Sequence, residues 1–374
     1  MLNSKIAVLG GGPGSLGTAG DIAIRGGEVH FWGRNVWKLA GYFQFKQIKM
    51  AGAIEGTAQL AGASDDLSGT LKGARLIVIC LPGFTHRDIA ERCAPFLENG
   101  QIVLICGNSV LSSLLFAKTL KEKGVNKDII CADYAALPVG GRWLESGVVN
   151  APVPYHYKSP GVVRKAIGVF PARRTDEAME VLFQVYPGIP VMENALACGL
   201  IAEWPTAHPI QMLLNTSVIE NIIYTDILEE GSTQSVARLI RIADDERKAV
   251  QKAWGYKITE SMTQARLEGK EKTRDWRHQS SGRPQRDAYI MWSWKDRLDM
   301  QHRYITESIP CGCVPRASAA TKAGLKVPIM GSLISICSGI NGEDYSSIGR
   351  SLENLGLGNM NVEQVNSFLY EGYR

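Results

Sequence analysis

No apolar run in this chain is long enough to cross a membrane as a helix, and its first residues enter a strand-like segment that leaves no room for a signal sequence. A cytoplasmic protein is the expectation, with no membrane partner. Charge of one sign is missing too. Lys+Arg 41 against Asp+Glu 37 leave a formal net charge of +4, modest for 374 residues. Without a basic tail, an interleaving of basic and aromatic residues or a zinc-finger spacing, nucleic acid is not an expected partner. The cysteines are scattered, and Cys80, Cys106 and Cys131 lie in strand-like apolar runs, as buried free thiols of a reducing compartment do. Cys311-Gly312-Cys313 lacks the spacing of a redox Cys-x-x-Cys, and no Cys/His cluster accompanies it, so no metal is expected. Internal repeats are absent as well.

What the chain has is length and apolar content for two cores: 374 residues, 45% hydrophobic. It opens on Lys5-Ile6-Ala7-Val8-Leu9, a short buried strand, followed by Gly10-Gly11-Gly12-Pro13-Gly14-Ser15-Leu16-Gly17. Strand, glycine loop and helix in this order form the start of a dinucleotide-binding βαβ unit. One glycine makes the turn, and another lets the backbone approach a pyrophosphate at the helix N-terminus. The register Gly10, Gly12, Ser15 is preferred over Gly12, Gly14, Gly17, because the turn should begin where the strand ends. Pro13 and Gly14 complete the expected coenzyme loop.

Gly26-Gly27 stops the first helix, and Glu28 to Trp32 is the second strand. At its end, where an acidic residue would bind the ribose 2′-OH of NAD, the chain reads Gly33-Arg34-Asn35. A cation beside open space suits a 2′-phosphate, so NADP(H) is expected in preference to NAD(H), with Arg34 stacking on adenine as the alternative. Trp37 to Gly62 has no clear pattern. Ala74 to Pro82 is a near-continuous apolar strand that ends in Gly83-Phe84-Thr85-His86. His86 could approach the coenzyme or simply cap the next helix. Helix 89–97, strand 101–106 ending in Gly107-Asn108, helix 110–123 and strand 129–132 continue the alternation. Val148 to Tyr157 and Val162 to Phe170 follow as strands, and Asp176 to Tyr186 as a helix. The pattern is doubly wound α/β, a Rossmann-type nucleotide-binding domain over 1–190. Pro82, His86 and Asn108 stand at the strand ends where a coenzyme lies.

From Asn194 the short strands disappear. Helices are expected at 211–229, 232–254, 256–267, 286–300, 315–324, 328–340 and 361–370, making 191–374 an all-helical domain. In 233–251 a stripe of Val236, Leu239, Ile240 and Ala243 should face away from Asp244, Asp245, Glu246 and Arg247. The polar span Glu268 to Arg286 reads as an exposed loop or lid. A cleft between the two domains is where substrate would meet nicotinamide. A homodimer is one expectation, since a helical face could pair subunits or only cover the cleft.

His208 has the best case for chemistry. It stands immediately before the long helix expected from 211, whose N-terminus would favour an anion nearby, and imidazole manages protons near neutrality. A structural histidine is the alternative. Arg303 and Glu307 stand four apart, as a salt-bridged helix face or, at a cleft, as a carboxylate clamp. Arg142, after Leu137-Pro138-Val139-Gly140-Gly141, is a further anion contact or a surface salt bridge.

Nearly the whole chain resembles the octopine/nopaline (opine) dehydrogenases. The resemblance rests on the strand-glycine opening, Pro82-Gly83-Phe84-Thr85-His86, Leu137-Pro138 with Arg142, and His208-Pro209 followed by Met212-Leu213-Leu214-Asn215. It continues in His302-Arg303-Tyr304-Ile305-Thr306-Glu307 and in Ala323-Gly324 with Val327-Pro328. It implies a nucleotide domain joined to a helical domain, and NAD(P)H reduction of the imine formed from a 2-oxo acid and an amino acid. It also implies His208 as general acid/base and Arg303 as the residue orienting substrate; Arg142, Asn215, Glu307 and Ser308 are the further candidates for substrate contact. One departure stands out. The family reads Arg-Tyr-x-Thr-Glu-Asp, its Asp assisting the histidine, and this chain has Ser308 in that place. A serine cannot stabilise an imidazolium as a carboxylate does. Neighbouring Glu307 points elsewhere on a helix, so its replacement of the Asp is not assumed. Two alternatives therefore stand: NAD(P)+-dependent oxidation of a secondary alcohol or amine on the same frame, and a non-catalytic coenzyme-binding regulatory or structural protein.

Overall fold

A computed structural model describes residues 3–144, 147–153, 163, 165–202, 204–221, 227, 231–260 and 299–373. β1 (Ile6–Leu9) is buried at every position, as a strand without polar side chains must be, and it needs cover on both faces. The chain continues through α1 (Pro13–Ile24), β2 (Val29–Trp32), α2 (Val36–Phe45), β3 (Gln47–Gly52), β4 (Gly56–Gln59) and β5 (Gly62–Ser64). Next come α3 (Leu67–Leu71), β6 (Leu76–Ile79), α4 (His86–Cys93), β7 (Gln101–Gly107), α5 (Ser112–Glu122) and β8 (Ile129–Ala135). The run closes with β9 (Gly140–Trp143), β10 (Val149–Val153), β11 (Ile167–Phe170) and α6 (Thr175–Val185).

The main sheet has the order β11-β8-β7-β6-β1-β2-β5. All neighbours are parallel except β11 against β8. From β1 the order runs one way to β2 and the other way to β6. The C-terminal ends of β1 and β6 thus flank a switch point, the crevice where open α/β sheets bind ligands. The patternless stretch after Trp37 resolves into α2 and three strands. Two of these, β3 and β4, join β9 and β10 in a second sheet of order β4-β3-β10-β9. This small sheet lies on α1. A Cβ on Gly17 would stand 3.2 Å from Val139 Cγ1, and one on Gly20 would stand 2.5 Å from Met50 Sδ. Glycines spaced by three along α1 therefore serve close packing.

Beyond α6 every named element is helical: α7 (Ala195–Gly199), α8 (Trp204–Leu214), α9 (Thr216–Glu220), α10 (Gln234–Ala253), α11 (Arg303–Thr306), α12 (Val314–Lys322), α13 (Pro328–Asn341), α14 (Tyr345–Ile348) and α15 (Val362–Glu371). A π-helical turn, Ile309–Cys313, leads into α12. No described helix is long and apolar enough to cross a membrane.

Several expected boundaries are corrected. The single helix expected over 211–229 begins earlier, at Trp204, and breaks at Asn215. The Asn215 amide donates to the carbonyls of Gln211 (2.8 Å) and Gly231 (3.1 Å), so the side chain competes with helix continuation. Residues 256–260 are not helical. Gly255, at φ +75°, ends α10, and the Tyr256 N–H turns back to the Gln251 carbonyl. The remainder of that expected helix, the Glu268–Arg286 span and all but the end of helix 286–300 lie outside the described residues.

The polar face expected on α10 is largely buried. Arg247 is fully buried, its Nε donating to Asp244 at 2.7 Å and its other nitrogens to Leu200, Gln251 and Thr259. Glu246 accepts from the backbone N–H groups of Ile329 and Met330 at the start of α13. A charge run reads as solvated until tertiary partners satisfy it.

Candidate active site

The glycine loop is shaped by steric necessity. Gly10 has φ +149°, and a Cβ there would meet the Cys80 carbonyl oxygen at 2.7 Å and Ser15 Cβ at 2.8 Å. Ser15 Oγ donates to the Gly12 carbonyl (2.7 Å) and accepts from the Gly12 N–H (3.1 Å), closing the first turn of α1. Around Gly12 a Cβ would meet nothing within 4 Å, so its backbone is open to a ligand.

The loop borders a cavity of about 590 Å³. On the sheet side the walls are Gly11 to Ser15, Cys80 to Pro82 and Cys106 to Ser109; Leu137, Gly141, Arg142, Trp143 and Lys38 close one flank. The opposite wall is His208, His302, Arg303, Tyr304, Glu307 and Ser308. A dinucleotide fits this surface. Open backbone at the N-terminus of a twelve-residue helix suits a pyrophosphate. Beside it the buried Asn108 Oδ1 has no hydrogen-bond partner among the described residues, an acceptor left for a ligand.

His208 lies inside α8, not ahead of it, which removes the expected help from a helix N-terminus. Its ring stacks on Tyr304 with centroids 3.6 Å apart and planes 14° apart, and on Trp204 at 5.1 Å and 25°. Stacking fixes the ring plane and leaves the nitrogens at its edge for polar contact. Pro209, the next residue, has no N–H to give the Pro205 carbonyl one turn back. Cys313 supplies the substitute: its Sγ donates to that carbonyl at 3.1 Å. Burial pushes the Cys313 thiol up to about 12, so it keeps its proton. Gly312 allows this approach, since a Cβ there would stand 2.4 Å from Pro205 Cβ. The Cys-Gly-Cys stretch is thus a packing device under the His208 turn.

Arg303 starts α11. Its guanidinium is half-exposed, 3.7 Å from Glu307 Oε2, while Glu307 Oε1 accepts from the Gly83 N–H at 2.8 Å. With both oxygens so engaged, Glu307 ties the helical part to the loop after β6. His302 is largely buried. Its Nδ1 accepts from the Tyr304 N–H at 3.3 Å, which puts the proton of the neutral ring on Nε2. Burial, aided by Arg303 and Arg142 against Asp299, pushes His302 down to about 4. Arg142 stands on β9, with Nη1 donating to the Gly141 carbonyl at 3.0 Å. Ser308, 8% exposed, is the N-cap of the π turn.

The structure thus gathers Gly12, Pro13, Gly14, Ser15, Pro82, Asn108, Arg142, His208, Arg303, Glu307 and Ser308 around one cavity. Four of the expected site residues are not in its lining. Gly10 lies beneath the loop as its turn. Arg34 is exposed at the end of β2, outside the lining. His86 is turned inward: Nε2 lies 3.0 Å from the Leu81 carbonyl, and burial beside Arg350 pushes it down to about 3; it is the first residue of α4, whose cap is Thr85, so the ring fills neither the coenzyme-contact nor the capping role. Asn215 spends its amide on the helix break.

Sequence reasoning overlooked Lys38, His302, Tyr304 and, behind the wall, Arg350. His302 and Tyr304 flank Arg303 in a motif already quoted, so their position was a usable signal. Arg350 carried none. Its buried guanidinium donates to the carbonyls of Val110 (2.9 Å) and Gly83 (2.9 Å) and to Ser112 Oγ (2.8 Å), pinning two sheet-end loops at once.

Residues 191–341 match the family model for the α-helical domain of NAD/NADP octopine/nopaline dehydrogenase. An opine dehydrogenase of Arthrobacter sp. (strain 1C) is 24% identical, covering 98% of this chain and 99% of its own length. The Ocs protein of Agrobacterium vitis is 26% identical over 97% of this chain and 98% of its own. Among solved structures, octopine dehydrogenase with NADH and L-arginine superposes with a TM-score of 0.69 at 17% identity, covering 100% of this chain and 99% of that one. Two-domain architecture, a glycine-loop cavity and full-length similarity agree: the chain is an NAD(P)-dependent oxidoreductase similar along its whole length to the octopine/nopaline (opine) dehydrogenases, with residues 191–341 matching their α-helical domain.

Proposed function

We propose that this enzyme reduces the imine formed between a 2-oxo acid and the amino group of an amino acid or amine, yielding a secondary amine. The observation that carries this reading is the meeting of His208 and Arg303 in one cavity with the glycine loop. An imine made from an oxo acid keeps a carboxylate, which calls for a fixed cation, and gains a proton on nitrogen, which calls for an acid.

Arg303 binds the substrate carboxylate, steadied on its other side by Glu307. Arg142 adds positive potential on the facing wall. His208, its plane set by Tyr304 and Trp204, holds the proton that the nitrogen gains. Bound NAD(P)H supplies the hydride that the imine carbon gains. Asn108 and the backbone of Gly12 hold the coenzyme on its side of the cavity. The walls exclude water and bring the reacting centres into line. We assign coenzyme binding to residues 1–190 and substrate binding to 191–374. Absence of an acid at Gly33-Arg34-Asn35 favours NADP(H) over NAD(H). The eight cysteines, all free and buried, suit a reducing compartment, and we propose a cytoplasmic location.

Steady-state coenzyme oxidation, followed with 2-oxo acids and amines singly and in pairs, tests the reading. Turnover that needs both partners supports it. Equal turnover with a keto acid alone, or turnover only with NAD(P)+ and a secondary alcohol, contradicts it.

A further inference from the structure

Among the described residues Lys38 joins Arg142 and Arg303 as a cation of the cavity lining, whereas Arg34 lies outside it. Lys38, in the first turn of α2, lines the cavity together with Gly11 and Gly12. Its position is built. Asn35 Oδ1 caps α2 by accepting from the Lys38 N–H at 3.0 Å, which fixes that turn. Leu39, the next residue, is fully buried, and its Cδ1 would stand 3.5 Å from a Cβ on Gly11, so α2 is seated against the loop. The Lys38 Nζ sits 4.0 Å from the centroid of the Trp143 ring, which draws the ammonium across the flank of the cavity.

The ammonium has no carboxylate to neutralise it among the described residues. Among the described residues Glu307 is the one acid in the cavity lining, and its oxygens face Gly83 and Arg303. A cation lining the same cavity as the glycine loop and the N-terminus of α1, with no acid beside it among the described residues, has the complement of a phosphate.

We propose that Lys38, held against Trp143, is a phosphate-binding residue of the coenzyme site. The assignment rests on the coenzyme reading given above and adds a contact that the β2 end does not provide. The phosphate is either the pyrophosphate common to both coenzymes or the 2′-phosphate of NADP(H), and binding data separate the two.

The test is equilibrium binding of NADH and of NADPH to the full chain, by fluorescence of the reduced nicotinamide, for the wild type, Lys38→Gln and Lys38→Arg. Loss of a charged hydrogen bond should weaken binding roughly tenfold or more in Lys38→Gln, with Lys38→Arg close to wild type. An equal loss for both coenzymes locates Lys38 on the pyrophosphate, a loss confined to NADPH locates it on the 2′-phosphate, and either upholds the proposal. Wild-type affinity for both coenzymes in Lys38→Gln overturns it while leaving the coenzyme reading intact. A wild type that binds neither coenzyme overturns both. Lys38 is exposed on a helix surface, so its variants should keep the wild-type melting curve, which checks that a loss of binding is not a loss of fold.

Discussion

At the scale of the residue, catalysis turns on His208 in a chain that has Ser308 where the family pattern has Asp. The His208 ring is flanked by aromatic faces and shares its cavity with Ser308. An electron-rich face favours an imidazolium, though less than a buried carboxylate would. His208→Asn should lower kcat by about a hundredfold or more while leaving the coenzyme Kd unchanged. Stopped-flow turnover and a coenzyme titration on the same preparation check both halves. Ser308→Asp should raise the apparent pKa of the catalytic acid by about one unit, because an added negative charge favours the imidazolium. The alkaline limb of the pH–kcat/KM profile would then move upward; an unmoved limb would mean that position 308 does not sense His208. Arg303→Gln should raise KM for the oxo acid roughly ten- to a hundredfold.

At the scale of the element, α8 shows how a helix carrying a proline keeps its geometry. Cys313→Ala would leave the Pro205 carbonyl without its donor, at a cost of about 1–3 kcal/mol. Cys313→Ser should recover part of that stability, and urea unfolding of the pair is the check. Local order of this kind was only partly legible in the sequence. The strand–glycine–helix opening and the βα alternation were, because buried parallel strands read as apolar runs between turn residues. The small sheet was not, although β10 falls within a stretch that reads as a strand, because β3 pairs in parallel with it about a hundred residues away and the Gly- and Ala-rich β3 and β4 lack an apolar run. The polar face of α10 misled for a related reason: Arg247 and Glu246 look solvated until residues 256–260 and the start of α13 supply their partners. In the site, His208 and Arg303 were visible through motif order, whereas Lys38 and Arg350 act through contacts that no spacing encodes.

At the scale of the whole molecule, the two halves are joined by polar groups that reach across. Glu307 takes the Gly83 N–H, Arg350 takes the Gly83 and Val110 carbonyls, and the Val110 N–H donates to the Cys311 carbonyl at 2.9 Å. Loops that carry the coenzyme wall are thus tied to helices that carry the substrate wall. Burial also gives the fold a pH dependence. His86, at about 3, and His302, at about 4, stay neutral in the folded chain where the unfolded chain binds a proton on each. Asp133 works the other way: burial, against hydrogen bonds from Ser113, raises it to about 7, so it ionises on unfolding below that pH. Two protons taken up less one released leave a net uptake of one. Stability should therefore fall by about 1.4 kcal/mol per unit as pH drops from about 6 towards 4.5. His86→Gln should flatten that slope, and urea unfolding across the pH series is the measurement.

Hydride transfer to an imine carbon is the central claim, and isotopic labelling reads it directly. Coenzyme deuterated at the transferring position of nicotinamide, incubated with a 2-oxo acid, an amino acid and the enzyme, should yield a secondary amine. Mass spectrometry should then find one deuterium at the former carbonyl carbon, and none in product from the amine alone. Deuterium recovered in a 2-hydroxy acid, with no secondary amine formed, would contradict the account.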